Sequence, residues 1–496
     1  MLLFLWLACT HQPNIAKAKP LSECVVNPQQ TGQLSQYLLT PQFQNPINEN
    51  RTGVYVLEDG AGALAARAWL TEQASATLDA QYFIYSADNV GLLSTAALIA
   101  AANRGIQIRI LVDDVLAHGD ADLLTAINQH PKIEVRIYNP NINVGKKNIQ
   151  KIQNVVFDFD SINQRMHNKT FIVDGQVAIT GGRNVGDEYY DFDSDYNFRD
   201  RDVTLIGSGA QQVQASFEEF WNDSHAVNIQ ELMEPISEQQ AQLVWRQLEY
   251  YACDARNYHP LFRQRVEKVL ETLQQQSSQL YWVDNVSYIS DHPGKNNTSS
   301  LTGGGITTTE LIKLTEQAQQ RIWIQTPYLV LSEVGLQVFQ ALRSRNIEVK
   351  ILTNSLAATD NYPAFAGYRK VRQQLLDMGV EVYELNPYGP DVMALNTTGL
   401  ADKTDAMVGL HAKSMIIDNN IAVIGSFNLD PRSANLNTEC LVIMNHEEIT
   451  AQMAAYFERE MNIDNAWPAH RNNDKEASIL RRFVTRLSQI VPSSVL

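Results

Sequence analysis

Cysteine is scarce in this chain, which has four in 496 residues. Cys9, Cys24, Cys253 and Cys440 are widely scattered and form no C-x-x-C pair or other spacing of metal ligands. Zinc sites and disulfide-rich scaffolds both depend on closely spaced cysteines. The sequence therefore indicates neither a zinc site nor a disulfide framework, and it leaves the redox compartment open.

An excess of positive charge is also lacking, because 39 Lys and Arg stand against 55 Asp and Glu, for a net charge of −16. Proteins that coat nucleic acid or anionic membranes by bulk charge carry clustered basic residues. The composition therefore argues against nucleic acid as a partner. It does not exclude a local basic pocket.

Long apolar runs are missing as well. A membrane-spanning helix needs about 20 apolar residues, and no stretch of the sequence is that long and apolar. The chain opens with an apolar segment from Leu2 to Cys9, which has no positive flank and is too short for a complete signal peptide. Three interpretations stay open for it. It is the end of a signal whose upstream part is missing, a lipoprotein-like segment acylated at Cys9, or a short peripheral anchor.

What the chain does contain is one stretch that occurs twice. The first copy reads MHNKTFIVDGQVAITGGRN and the second reads LHAKSMIIDNNIAVIGSFN. Both fit the frame H-x-K-x-x-x-x-D, formed by His167, Lys169 and Asp174 in the first copy and by His411, Lys413 and Asp418 in the second. A glycine and an asparagine follow at the same distances in both copies: Gly181 and Asn184, then Gly425 and Asn428. All these pairs share the offset 411 − 167 = 244 residues, so the match extends well beyond a chance motif.

The patterns around the motifs also repeat. Short alternating or apolar runs that predict strands alternate with Ala- and Leu-rich runs that predict helices, which favours a mostly parallel mixed α/β sheet in each half. We therefore expect two pseudo-symmetric α/β domains with one active site at their interface. The predicted divisions are an apolar start and extended lead-in at 1–45, a first domain at 46–229, a helical connector at 230–280, a second domain at 281–465, and an amphipathic tail at 466–496.

The tail places apolar residues on one helical face from Ser478 onward: Ile479, Leu480, Phe483, Val484, Leu487, Ile490 and Val491. Arg481, Arg482 and Arg486 form the polar complement. Two interpretations fit this pattern. The helix packs its apolar face on a domain, or it lies on a lipid surface.

The motif residues predict phosphoryl chemistry. His167 and Lys169 lie two residues apart in a predicted strand and share one face, as do His411 and Lys413, while Asp174 and Asp418 stand at the following turns. If the halves pack pseudo-symmetrically, the two motifs share one pocket. Lysines, together with Asn184 and Asn428, then hold the phosphate oxygens, while one imidazole attacks phosphorus and the other protonates the leaving alcohol. This chemistry needs no metal ligands and no cofactor.

An acidic residue precedes a strand in each half. Glu439 stands before Cys440–Met444, and Asp202 stands before Val203–Ile206. A carboxylate in such a place can accept the second ring N–H of a catalytic histidine and so fix its tautomer. The alternative is that both are ordinary carboxylates at strand ends.

The paired motifs resemble the phospholipase D superfamily, and their flanks are similar to its bacterial cardiolipin synthase branch of the cardiolipin synthase C type. The similar stretches are GGRNVGDEYYD at 181–191, FRDRDV at 198–203, TNSLAATD at 353–360, GYRKVR at 367–372 and GSFNLDPRSANLNTE at 425–439. The resemblance implies two phospholipase D-like domains and metal-free phosphatidyl transfer through a phosphohistidine, with His167 as the nucleophile and His411 as the acid and base.

The resemblance also implies phosphatidylglycerol and a second phospholipid, such as phosphatidylethanolamine, as substrates. We therefore expect a cardiolipin-forming phosphatidyltransferase on the bacterial inner membrane. It would be peripheral there, facing the periplasm or anchored through lipid on Cys9, with a small accessory protein as a further partner. A hydrolytic phospholipase D is the alternative, and a nuclease of the same superfamily is disfavoured by the acidic composition.

Overall fold

The computed structural model describes residues 32–114, 121–140, 144, 164–258, 280–295, 304–395 and 406–489. The apolar start of the chain with Cys9, the second part of the connector and the end of the tail lie outside the described residues. Among the described residues, Cys253 is disulfide-bonded, which the cysteine spacing did not indicate, and Cys440 is buried and free.

The first half forms a nine-stranded mixed sheet whose strand order is β10-β1-β8-β6-β5-β2-β3-β4-β9. The strands of this half, together with β7, which lies outside the sheet, are β1 (Thr52–Leu57), β2 (Thr77–Tyr82), β3 (Gln107–Asp113), β4 (Ile133–Tyr138), β5 (Thr170–Val173), β6 (Val177–Gly181), β7 (Tyr196–Arg199), β8 (Asp202–Gly207), β9 (Ala226–Asn228) and β10 (Tyr281–Val283).

The second half forms an eight-stranded mixed sheet with the order β11-β18-β17-β16-β12-β13-β14-β19. Its strands, with β15 outside the sheet, are β11 (Val286–Ser290), β12 (Arg321–Gln325), β13 (Glu348–Asn354), β14 (Glu381–Leu385), β15 (Met407–Leu410), β16 (Lys413–Ile417), β17 (Ile421–Gly425), β18 (Cys440–Asn445) and β19 (Ala466–Pro468). The central order of the first sheet recurs here, because β12, β13, β16, β17 and β18 occupy the places of β2, β3, β5, β6 and β8. The expected duplication is confirmed.

Helices flank both sheets. They are α1 (Leu34–Leu38), α2 (Pro41–Asn48), α3 (Gly60–Gln73), α4 (Asn89–Asn103), α5 (Ala121–Asn128), α6 (Ser208–Asn222), α7 (Glu238–Cys253), α8 (Ile306–Gln317), α9 (Glu333–Ser344), α10 (Tyr362–Asp377), α11 (Pro390–Leu395), α12 (Pro431–Asn435), α13 (Glu447–Glu460) and α14 (Ile479–Ser488). Within the described ranges, none of them combines the length and apolar character that crossing a membrane requires.

Parallel pairing is more limited than the strand–helix alternation predicts. It joins β2, β3 and β4 in the first sheet and β12, β13 and β14 in the second, while the other pairs within the two sheets are antiparallel. The reason is the length of the connections. Parallel strands need a crossover, whereas β5–β6 and β16–β17 are joined by short turns and must run antiparallel.

The predicted boundary between the connector and the second domain, between residues 280 and 281, does not coincide with the boundary between the two sheets. Strand β10 belongs by sequence to the predicted second domain but pairs with β1 of the first sheet, whereas β11 pairs with β18 of the second. Strand β19 opens the predicted tail and extends the second sheet through β14. One buried apolar cluster contains residues of both halves, such as Met166 and Leu205 from the first and Ile416 and Val442 from the second. The halves therefore share a continuous core.

Candidate active site

Each motif histidine is held by a backbone bond to the opposite half. The His167 N–H donates to the carbonyl of Thr438 at 3.0 Å, and the Thr438 N–H donates back to the carbonyl of Arg165 at 2.8 Å. The His411 N–H donates to the carbonyl of Arg199 at 2.8 Å, at the end of a parallel pair formed by β15 and β7. The two histidines therefore lie at the seam between the domains, as the duplication predicts.

The carboxylate partners of the histidines are exchanged between the halves. Nδ1 of His167 lies 2.8 Å from Oε2 of Glu439, and Nδ1 of His411 lies 2.5 Å from Oδ2 of Asp200. Both carboxylate side chains are fully buried. A ring whose Nδ1–H donates to a carboxylate keeps the lone pair of Nε2 for attack or proton transfer. Each imidazole is therefore oriented by the domain to which it does not belong.

Glu439 has the predicted contact with a histidine, and its role in the reaction stays a prediction. The expectation that Asp202 pairs with a histidine was wrong. The Asp202 carboxylate binds the guanidinium of Arg67 at 2.9 Å and lies 3.5 Å from that of Arg183. Asp202 is the first residue of β8, where it is paired within its own sheet. The irregular residues before that strand carry Asp200 across the seam instead.

The two motif lysines meet at the same place. Lys169 and Lys413 are 1% and 4% exposed, and Nζ of each donates to the carbonyl of its own motif histidine. Burial lowers the pKa of Lys169 to about 7 and that of Lys413 to about 8. Each lysine also lowers the pKa of the histidine in the opposite motif. Two buried amino groups whose pKa values are lowered in this way become charged more readily when an anion binds beside them.

The histidines are neutral in this environment. Burial, followed by the charge of Lys169, lowers the pKa of His167 well below its usual value. Burial and Lys413 lower the pKa of His411 to about 3, against the opposing effect of Asp200. A neutral imidazole is the form that can attack phosphorus or accept a proton.

The two carboxylates differ in their ionisation. Burial raises the pKa of Asp200, but the neighbouring His411 and Lys413 outweigh it and hold the pKa well below its usual range. Burial raises the pKa of Glu439 to about 7, although Lys169 and the Ser426 hydroxyl oppose the shift. At neutral pH Asp200, the partner of His411, is therefore ionised, whereas Glu439, the partner of His167, is partly protonated.

The motif asparagines have unequal surroundings. Oδ1 of Asn184 accepts a bond from the Ile84 N–H at 3.1 Å. Asn428 is 4% exposed, and its Oδ1 has no hydrogen-bond partner within the described part of the chain. A buried amide oxygen without a partner is costly. Such an atom is typical of a side chain that completes its bonding with a ligand.

The motif aspartates, which the sequence predicts as catalytic residues, lie outside this pocket and bind backbone N–H groups instead. Asp174 stands at the far end of β5 from His167, and its carboxylate accepts the N–H groups of Ser75, Ala76 and Thr77 at 2.8 to 2.9 Å. Asp418 repeats the arrangement with the N–H groups of residues 319–321. Both adopt a left-handed backbone, with φ of 53° and 52°. Each aspartate fixes the hairpin turn to the start of a neighbouring strand.

Aromatic rings that the motif does not predict surround the imidazoles. The Phe83 ring centroid lies 5.1 Å from that of His167, and those of Tyr189 and Phe198 lie 5.3 and 4.8 Å from that of His411. Tyr189 and Phe198 lie in stretches that resemble the family, whereas Phe83 lies in none of them. They exclude water from the ring faces and strengthen the electrostatic interactions between the charged groups.

A buried charged network holds Asp200 in place. Arg199 binds Glu460 of the other half at 2.7 Å and Glu58 at 2.5 Å. Arg201 binds Glu58 at 2.8 Å and donates to Gln325 and Ser414 of the other half at 2.5 and 2.9 Å. Asp200 stands between these two arginines, so the network that joins the domains also positions the carboxylate on His411.

No group of three potential metal ligands occurs among the described residues, and the expectation of metal-free chemistry stays a prediction.

Comparisons with known proteins agree with the duplicated architecture. The family model described as "Cardiolipin synthase, PLD-like domain" matches residues 70–221 and 311–461. The chain is 32% identical over 459 residues to cardiolipin synthase C of Escherichia coli (strain K12), which covers 89% of this chain and 95% of that protein. It is 24% identical over 426 residues to a cardiolipin synthase of Geobacillus sp. (strain WCH70), which covers 85% of this chain and 68% of that protein.

Among solved structures, the phosphatidylserine synthase of Haemophilus influenzae Rd KW20 is similar in fold, with a TM-score of 0.58 and 13% sequence identity. The similarity covers 91% of this chain and 98% of that one. The fold of two joined halves is therefore shared with a protein of distant sequence.

Proposed function

Because the chain belongs to the cardiolipin synthase family with phospholipase D-like domains, we propose that it forms cardiolipin from phosphatidylglycerol and a second phospholipid. It is a phospholipase D-type phosphatidyltransferase. The observation that supports the reaction most directly is the buried pocket at the seam. There, two neutral imidazoles, each oriented by a carboxylate of the other half, lie with two lysines.

In the first step, Nε2 of His167 attacks the phosphorus of the donor lipid. A P–N bond forms, the bond from phosphorus to the head-group oxygen breaks, and that oxygen takes a proton from Nε2 of His411. The anionic phosphodiester, together with the ionised Asp200, raises the pKa of His411 in the substrate complex, so binding supplies the protonated acid. The product of this step is a phosphatidyl group on His167 and a free alcohol.

In the second step, the neutral His411 removes the proton from the hydroxyl of phosphatidylglycerol, whose oxygen attacks the phosphorus. The P–N bond breaks, cardiolipin leaves, and His167 returns to its starting form. Lys169, Lys413 and the amides of Asn184 and Asn428 bind the non-bridging oxygens and oppose the charge that builds there in both steps.

The lipid substrates place the reaction at a membrane surface. We propose that the protein acts there peripherally, on the bacterial inner membrane, with phosphatidylethanolamine as one candidate donor and a small accessory protein as a further partner. A lipid on Cys9, the last residue of the apolar segment that opens the chain, is one candidate anchor.

The test is mass spectrometry of the lipids formed when the purified protein is mixed with vesicles of phosphatidylglycerol and phosphatidylethanolamine. We expect cardiolipin, accompanied by glycerol or ethanolamine according to the donor. His167→Ala and His411→Ala variants serve as controls and should form none. Phosphatidic acid as the only product would show that water takes the phosphatidyl group, and it would refute the transfer reaction.

A second measurement tests the role of each histidine. A phosphorylated, acid-labile intermediate should accumulate in His411→Ala on a donor with a good leaving group, and it should be absent in His167→Ala. The reverse result would exchange the two roles.

A further inference from the structure

Helix α14 turns its apolar side away from the protein. Ile479, Leu480, Phe483 and Leu487 are 77%, 70%, 57% and 48% exposed, and their spacing places them on one helical face. The buried residues of the helix are Thr485 and Ser488. Of the two interpretations of the tail, packing of this face on a domain is wrong for the described residues. Ile490 and Val491 lie outside them.

The polar side of α14 is anchored by an arginine. The guanidinium of Arg481 donates to the carbonyl of Ala357, to that of Thr359 at 3.3 Å and to that of Leu356 at 3.4 Å. It also lies 5.8 Å from the ring centroid of Tyr362 at the start of α10. Several carbonyls on one cation hold a helix firmly. The outward direction of the apolar face is therefore fixed by a specific contact rather than by loose packing.

The loop at 356–359, whose carbonyls bind Arg481, borders the His411 side of the site. The carbonyl of Ala358, in the middle of that loop, accepts a bond from the Tyr196 hydroxyl at 2.7 Å. The Tyr196 ring lies 5.2 Å from that of Phe198, which in turn lies 4.8 Å from the ring of His411. Helix α14, the loop and the aromatic wall of the site thus form one contiguous structure.

The charge of this segment is opposite to that of the chain. Residues 478–496 contain three arginines and no acidic residue, whereas the whole chain has a net charge of −16. Arg486 is exposed beside the apolar face. An exposed apolar face flanked by arginines suits the interface of an anionic bilayer, where the side chains enter the acyl boundary and the guanidinium groups meet phosphates.

We propose that α14 is the membrane-docking element of this protein. It lies in the head-group region of an anionic phospholipid bilayer with Ile479, Leu480, Phe483 and Leu487 inserted, and it brings the His411 side of the site against the lipid. The inference deepens the proposed function, on which its choice of a lipid surface rests.

The test compares a double variant, Leu480→Glu with Phe483→Glu, against a matched control, Val334→Glu with Ile463→Glu. The control residues are 58% and 64% exposed and lie elsewhere on the surface. Removing a buried Leu or Phe from an apolar environment weakens partitioning by roughly tenfold or more per side chain. We therefore expect binding of the double variant to phosphatidylglycerol-containing vesicles, measured by flotation, to fall by about 100-fold, and that of the control to stay as in the wild type. Equal flotation of wild type and double variant, or an equal loss in the control, would overturn the proposal.

A gentler variant keeps the test valid if the double variant folds poorly. In Phe483→Trp, the indole emission should shift to the blue when vesicles are added. An unchanged spectrum in the presence of bound vesicles would place the helix outside the lipid. If the face instead binds a second copy or an accessory protein, the double variant will change the oligomeric state and leave flotation intact, which also refutes lipid docking.

Activity on a short-chain phosphatidylglycerol below its micelle concentration separates this inference from the proposed function. We expect the double variant to lose turnover on vesicles and to keep that on the monomeric lipid. If the wild type forms no cardiolipin from either substrate, the proposed function fails, while the flotation result still decides the role of α14.

Discussion

Replacing Asp200 with asparagine is expected to reduce phosphatidyl transfer strongly while leaving the fold intact. The buried carboxylate lies 2.5 Å from Nδ1 of His411. A hydrogen bond that involves a charged group contributes about 1.5–3 kcal/mol, which corresponds to a roughly 10- to 200-fold change in rate when the bond stabilises the charged imidazole in the transition state. An amide that turns its NH₂ group toward Nδ1 would also favour the wrong tautomer, so this range is a lower bound.

The assay is the initial rate of cardiolipin formation as a function of pH. In the proposed mechanism His411 acts as an acid in the first step, so activity is expected to fall as the pH rises through the pKa that His411 has in the substrate complex. Removing the negative charge of Asp200 lowers that pKa. The alkaline limb of the rate profile should therefore move to lower pH in Asp200→Asn, in addition to the drop in the maximum rate.

The matched control is Asp202→Asn, two residues away and equally buried. Its carboxylate binds Arg67 and Arg183 rather than a histidine, so this variant should lose stability and keep the pH profile of the wild type. An Asp200→Asn protein with more than half of the wild-type rate would refute the exchanged carboxylates. The same conclusion would follow if a folded Asp202→Asn protein showed the same shift of the alkaline limb.

Three further outcomes follow from the same contacts. Asp174→Asn and Asp418→Asn should each lower the free energy of unfolding by about 1–3 kcal/mol, because each variant weakens bonds to backbone N–H groups. At a permissive temperature their kcat should stay within a few-fold of the wild type, whereas Lys169→Ala should lose kcat. Glu460→Gln should destabilise the protein by about 1–3 kcal/mol in a denaturant titration, since it removes one of the two buried carboxylates that bind Arg199 and leaves only Glu58. Glu458→Gln, on the exposed side of α13, should not. Inorganic phosphate should raise Tm at pH 7 but less at pH 9. The reason is that Lys169 and Lys413, with pKa values of about 7 and 8 in the free protein, must take up protons to bind an anion. A phosphate effect that does not depend on pH, or one that is unchanged in Lys169→Ala, would count against the phosphate pocket.

The central part of this site could be predicted because the duplication preserves local spacing. An offset of 244 residues relates His167 to His411, and it also relates the two lysines and the two turn aspartates. The same offset relates the backbone N–H groups that donate to the aspartates, at 75–77 and 319–321. The role of the aspartates could not be predicted, since a repeated frame does not tell a catalytic carboxylate from one that fixes a turn. Only the direction of the side chain does.

Asp200 was missed for a different reason. Glu439 follows Gly425 by 14 residues, whereas Asp200 follows Gly181 by 19, so the common offset fails at the position that matters. The partnership of His167 with Glu439 also joins residues 272 apart in sequence. No local pattern reports a contact across a domain seam.

The amphipathic tail shows a related gap between pattern and structure. Hydrophobic periodicity reports that a helix has two sides, but not which side meets the protein. In α14 the outcome is decided by Arg481, whose guanidinium binds the carbonyls of the loop at 356–359 and leaves the apolar side outside. A single long-range contact thus selects between two interpretations that the sequence leaves open.

The two histidines have similar backbone contacts across the seam but different electrostatic surroundings, and this difference agrees with the roles proposed for them. His411 faces Asp200, whose pKa is held well below its usual range, so a negative charge is present to stabilise an imidazolium ion, as the acid and base of the reaction requires. His167 faces Glu439, whose pKa burial raises to about 7. A partner that is partly protonated favours a neutral ring, which is the nucleophilic form. When phosphorus bonds to Nε2, the ring becomes positive, and Glu439 can then ionise in response. The same pseudo-symmetric frame therefore supports a nucleophile on one side and a proton carrier on the other, through the identity and surroundings of one carboxylate in each half.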